Sequence, residues 1–249
     1  MLVYLLLFIA AAAVSFLIAF PVRSAALYFD IVDHPEKRKV HQIPIPLLGG
    51  LAIGAAFAVV TAAALTLRPD LAGGAVGPYA GLMAGGAIIL LLGAYDDIRG
   101  ASPLLKFGVQ TIAALLAITF GEKIDLFTNP LGASFQIGWL GIPIAVLWIV
   151  GVTNAVNLVD GLDGLAAGIG GIAALGLFAV AYPEKIFVAT MMITLAGAVA
   201  GFLRHNFYPA RLFLGDTGSM FIGFTLAVLG MHGSLKSTAA TVLFLPIIV

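Results

Sequence analysis

Residues 139–168 read WLGIPIAVLWIVGVTNAVNLVDGLDGLAAG. The first part of this stretch, 139 to 157, is apolar, carries no charge, and is long enough as a helix to cross the roughly 30 Å hydrocarbon layer of a bilayer. It ends in polar residues spaced three apart: Asn154, Asn157, Asp160 and Asp163. On a helix each three-residue step falls about 60° short of a full turn, so neighbours in the series share a face while the whole series spirals. Gly161 and Gly164 allow the helix to break there and bring the carboxylates over one point. The stretch reads as a membrane span whose mouth carries polar groups, and the rest of the chain repeats that pattern.

The 249 residues are 61% hydrophobic and 10% charged, with a mean hydropathy of +1.13. Soluble domains carry about a quarter charged residues, so the bilayer is the expected solvent. Charge-free runs predict nine spans, at 2 to 22, 48 to 67, 78 to 94, 104 to 120, 139 to 157, 164 to 182, 186 to 203, 218 to 232 and 238 to 249. The expected fold is an all-α polytopic transmembrane bundle forming a single integral membrane domain over 1–249. The N-terminal run MLVYLLLFIAAAAVSFLIAF lacks the basic region of a cleaved signal and reads as a retained helix. Zero net charge and no dense basic run beyond Lys37, Arg38 and Lys39 argue against nucleic acid, and the absence of cysteine excludes disulfide and thiolate-metal chemistry.

If nine helices alternate in direction, the loops at 23 to 47, 95 to 103, 158 to 163 and 204 to 217 share one side. That side, counting Lys106 at its helix mouth, holds Arg23, Lys37, Arg38, Lys39, Arg99, Lys106, Arg204 and Arg211, against Arg68, Lys123, Lys185 and Lys236 on the other. The excess marks the first side as cytoplasmic and the N-terminus as outside. Asp30, Asp33, Glu36, Asp96, Asp97, Asp160, Asp163 and Asp216 lie on the same side, an acidic excess that orientation rules do not require. No predicted span has an ionisable group at mid-bilayer, where carriers and pumps place them.

Asp96 and Asp97, in GAYDDIRGASPLLKF (93–107), are adjacent carboxylates that repel unless they share a cation or a proton. Lys106 sits where an ammonium meets a phosphate, or where it simply snorkels to the interface. In RHNFYPARLFLGDTGSMFIGF (204–224), Asp216 or Thr217 can cap a helix, or Asp216 can bind a metal while glycines admit a phosphate. Phe213 offers a flat face for a base or serves as packing. The longest inside loop, 30–50, brings Lys39 and His41 as phosphate or sugar contacts, with the positive-inside rule as the plainer account of the basic cluster. His205 is expected at the interface. These separate segments are predicted to converge on one face, where hard oxygen donors suit Mg²⁺ or Mn²⁺ and a pyrophosphate substrate.

With RKVHQIPIPLLGG (38–50), the Asp96–Asp97 pair, NAVNLVDGLDGLAAG (154–168) and FLGDTGSMFIGF (213–224) in order, the chain resembles the polyprenyl-phosphate N-acetylhexosamine-1-phosphate transferases, the group containing WecA, TagO and MraY. The resemblance implies an enzyme of the bacterial inner (plasma) membrane with its active face toward the cytoplasm. Such an enzyme moves a sugar 1-phosphate from a UDP-sugar onto a polyprenyl phosphate, such as undecaprenyl phosphate, and releases UMP as the first membrane step of envelope polysaccharide synthesis. It implies Asp216 and Asn157 as Mg²⁺ ligands, Asp163 and Phe213 as nucleoside contacts, and Lys106 as a phosphate contact. It also implies Asp96 and Asp97 as the catalytic pair near the acceptor phosphate, with Asn154 and Asp160 among the substrate-binding residues. The short PIP form of 41 to 50 is similar to the WecA and TagO branch, so N-acetylglucosamine 1-phosphate is expected, with the muramyl-pentapeptide (MraY) reaction as the alternative. A homodimer is left open. The family continues beyond the ninth span into a basic cytoplasmic loop and further spans, so little or no activity is expected from 1–249 alone. A transporter of small anions is the rival from another class, and a purely structural membrane protein leaves the one-sided carboxylates unexplained.

Overall fold

The structure is a computed structural model and describes residues 1–35, 43–121, 126–128, 134–136, 138–182 and 184–231. Lys39, His41 and the predicted span at 238 to 249 lie outside these residues. Eight α-helices form the described fold: α1 Leu2–Tyr28, α2 Gly50–Leu67, α3 Val76–Arg99, α4 Pro103–Phe120, α5 Gly141–Val159, α6 Leu165–Ala181, α7 Ile186–Asn206 and α8 Gly215–Gly230. Six of them, α1 to α5 and α7, are long and apolar enough to cross a membrane. Two short antiparallel pairs, β1 Val32–Asp33 with β2 Ile45–Pro46 and β3 Leu126–Thr128 with β4 Ser134–Gln136, were not anticipated from the sequence.

Polarity sorts the helices differently here than in a soluble protein. Large apolar side chains such as Leu5, Leu17, Leu91, Leu147 and Ile172 are exposed on the outer helices, as expected of a surface solvated by lipid. The centre is α8, buried at every residue from Thr217 to Gly230. It packs on α3, α5, α2 and α6, while α7 packs on α1, α6 and α2. Small residues make these approaches close, as in other membrane bundles. A Cβ on Gly201 of α7 would lie 2.0 Å from the Ala12 carbonyl oxygen of α1, and one on Gly50 of α2 would lie 2.1 Å from the Gly218 amide nitrogen of α8.

Helix ends depart from the expected runs where charges begin. α3 continues through Asp96 and Asp97 to Arg99, so the acidic pair sits on the last turns of a helix rather than in a loop. α8 starts at Gly215, earlier than expected, which makes Asp216 a first-turn residue. Helix geometry satisfies backbone groups that a loop would have to hand to water, so it persists into the interface wherever the side chains tolerate it.

Candidate active site

The end of the bundle where α3 and α5 finish and α4 and α8 begin carries most of the sequence-predicted residues. α4 is started by Ser102, whose hydroxyl accepts from the Leu105 amide, and by Pro103 at its first position. That start places Lys106 one turn in. Its Nζ donates to Asp216 Oδ2 at 2.6 Å and pairs with Asp96. Asp96 also accepts from the Ala101 amide at 2.6 Å. From α5, Asn157 Nδ2 donates to Asp216 Oδ1 and to Ser219 Oγ, each at 2.9 Å. Thus Asp96, Lys106, Asn157 and Asp216, from four helices, meet around one half-buried point.

Asp97 takes another direction. Its Oδ1 accepts from the Asp216 amide at 2.8 Å, and its Oδ2 accepts from the Thr217 amide at 3.2 Å and the Thr217 hydroxyl at 2.6 Å. The expected cap of α8 by Asp216 or Thr217 side chains is therefore corrected: Asp97 of α3 supplies the acceptor, and the Asp216 side chain is free for Lys106 and Asn157. Leu214, at the N-cap position of α8, provides no side-chain cap.

The remaining predicted residues surround this centre unevenly. Asn154 lies a turn deeper, its Nδ2 donating to Gln110 Oε1 at 2.6 Å, while Gln110 is almost fully buried. This makes Asn154 part of an amide pair joining α4 and α5. Asp160 caps the C-terminus of α5. Burial, reinforced by the negative charges of Asp216 and Asp97, pushes its carboxyl up to about 7. Asp163 Oδ2 accepts from the Ala210 amide at 2.9 Å and so pins the segment between α7 and α8. Buried Asn206 does the same from beneath, accepting from the Gly164 amide and donating to the Leu212 carbonyl. Phe213 is half-buried, and its backbone bridges Pro46 and Gly49. His205 is buried between Phe16 and Phe20, with Nε2 3.1 Å from the Phe16 carbonyl, instead of facing the interface. Gln110, Ser219 and Asn206 were missed because single polar residues inside or beside apolar runs gave no pattern to read.

The donor set is hard: two carboxylates, a carboxamide and a hydroxyl, with positive charge already drawn to Asp96 and Asp216. Half a turn of the Asn157 amide presents its oxygen to the same point. No group of three or more His, Cys, Asp or Glu side chains is placed to hold a metal among the described residues. Asp96, Asp216 and the Asn157 carboxamide are donors of the kind that a small divalent ion such as Mg²⁺ takes, one or two carboxylates with water and substrate phosphate completing its shell. A soft metal has no ligands here.

A membrane-sized helical bundle that gathers carboxylates, an ammonium and a carboxamide at one end defines a multi-pass membrane protein with a charged site at its mouth. The chain belongs to glycosyl transferase family 4, whose family model matches residues 79–234. It is 36% identical over 232 residues to a probable undecaprenyl-phosphate N-acetylglucosaminyl 1-phosphate transferase of Bacillus subtilis (strain 168), covering 92% of this chain and 62% of that protein. It is 38% identical over 240 residues to the decaprenyl-phosphate N-acetylglucosaminephosphotransferase of Mycolicibacterium smegmatis, covering 88% and 56%. A phospho-N-acetylmuramoyl-pentapeptide-transferase of Chlamydia trachomatis is 39% identical over 168 residues, covering 59% and 47%. The chain thus spans about half to two thirds of the length of these relatives.

Proposed function

We propose that this chain carries the membrane site of a transferase that moves N-acetylglucosamine 1-phosphate from UDP-N-acetylglucosamine to a polyprenyl phosphate such as undecaprenyl phosphate, releasing UMP. The observation that carries the reading is the meeting of Asp96, Lys106, Asn157 and Asp216 at one end of a bundle whose family relatives bear that activity in their names. The match to the two N-acetylglucosaminyl enzymes extends over far more of the chain than the match to the muramoyl-pentapeptide enzyme, which favours N-acetylglucosamine. In this reading the site faces the cytoplasm from the inner (plasma) membrane and serves the first membrane step of envelope polysaccharide synthesis.

A non-bridging oxygen of the acceptor phosphate attacks the phosphorus bearing the sugar; the bond from that phosphorus to UMP breaks, and UMP leaves with the electron pair. Lys106 neutralises and orients phosphate oxygens, and Asp96 holds Lys106 in place. Mg²⁺ held by Asp216 and Asn157 would supply charge neutralisation for the diphosphate. A phosphate monoester is mostly dianionic at neutral pH, its second pKa being about 6, so the acceptor needs no strong base. The test uses membranes bearing the full-length enzyme, labelled UDP-N-acetylglucosamine and undecaprenyl phosphate. Labelled lipid and UMP should form together, require Mg²⁺, and be lost in Asp216→Asn. Unaltered lipid labelling in that variant overturns the site. Preferential competition by UDP-N-acetylmuramyl-pentapeptide would move the reaction to the other branch.

A further inference from the structure

Asp97 stands one helical turn from Gly93 on α3, and both face the start of α8. A Cβ on Gly93 would lie 2.3 Å from the Thr217 Cα, so only glycine lets α3 come this close. Gly215 has φ +70, and a Cβ there would lie 2.4 Å from Asp97 Oδ2. The carboxylate is therefore seated against backbone on one side and accepts three hydrogen bonds from Asp216 and Thr217. A carboxylate offers about four lone-pair positions, and three are committed. Asp96, by contrast, pairs with Lys106 in the shared centre.

We propose that Asp97 is a positioning residue rather than the base of the reaction: it caps α8 from the neighbouring helix and thereby fixes where the Asp216 side chain stands. The first amides of a helix have no partner within it and need an acceptor. α8 receives its acceptor from a residue 119 positions away in sequence. Because the bond is to the backbone of Asp216 itself, losing it frees the first turn that carries the carboxylate on Lys106 and Asn157. The inference rests on the transfer reading for its catalytic consequence but not for the cap.

The test pairs hydrogen exchange with kinetics on the full-length enzyme for Asp97→Asn, Thr217→Ala and Thr217→Ser. Asp97→Asn should speed amide exchange over 214–219 by about tenfold, and Thr217→Ala by somewhat less, with α1 unchanged. Thr217→Ser, which keeps the hydroxyl, should retain the parent's protection. In UMP release, Asp97→Asn and Thr217→Ala should both lower kcat, the former by about tenfold or more, while the acidic limb of the pH profile keeps its midpoint. Unchanged exchange over 214–219 in Asp97→Asn overturns the cap. Loss of the acidic limb in Asp97→Asn alone, with Thr217→Ala like the parent, restores Asp97 as the base. If Asp97→Asn does not fold, the Thr217 pair decides by the same exchange readout. If the parent releases no UMP, the transfer reading fails while the exchange arm still judges the cap.

Discussion

Lys106 holds two carboxylates that reach it from different helices, Asp96 from α3 and Asp216 from α8. Replacing it by methionine leaves those anions facing each other, and UMP release should fall by about a hundredfold. Asn154 makes a different demand: Asn154→Ala takes the donor from the buried Gln110 Oε1 and should cost about 1 kcal/mol of stability, read as a lower thermal midpoint in detergent, with the KM for UDP-sugar little changed. Asp160 titrates in a measurable window. Its folded value of about 7 lies above that of the unfolded chain, so the folded protein keeps a proton that the unfolded chain has released. In chelator its contribution is harmless below the ordinary carboxylate range and destabilises progressively as pH rises toward 7. The thermal midpoint should fall between about pH 4 and pH 7 and level off above that, and Asp160→Asn should flatten that fall. At this scale the sequence revealed which residues are polar and clustered, since charges among apolar runs stand out. It did not reveal that Asp97 faces backbone, or that Asn154 faces Gln110, because those contacts join residues far apart in the chain.

At the scale of elements, eight of the nine apolar segments read as spans fold as the helices α1 to α8, because uncharged runs leave a helix little alternative, and six of these are long and apolar enough to cross a membrane. Their ends were less legible: hydropathy stops at the first charge, whereas α1 runs on past Arg23 to Tyr28 and α3 past Asp97 to Arg99. Helix contacts were written in the glycines, but which glycines mattered was not. Gly201 abuts the Ala12 carbonyl, whereas nothing lies within 4 Å of a Cβ on Gly151. Gly201→Val should destabilise the α1–α7 contact by about 2 kcal/mol or more, and Gly151→Ala should be neutral or slightly stabilising. Thermal inactivation of the two variants in matched detergent checks the contrast.

For the whole molecule, the site lies at the end of the bundle where α2 begins, because the Gly50 amide bonds the Leu214 carbonyl beside α8. Leu67, at the other end of α2, is exposed beside the Arg68–Asp70 pair. The chain has no cysteine of its own, so single cysteines report cleanly. Tyr208→Cys should react with an impermeant maleimide only in inverted vesicles, and Leu67→Cys only in right-side-out vesicles; the reverse result inverts the proposed orientation. The central position of α8 also bears on the order of assembly. Helices α1 to α7 precede it in the chain, so Asp96, Lys106 and Asn157 are made before the Asp216 that draws them together. The pairing of Lys106 and Asn157 with Asp216 therefore closes only once the helix that starts at Gly215 is in place.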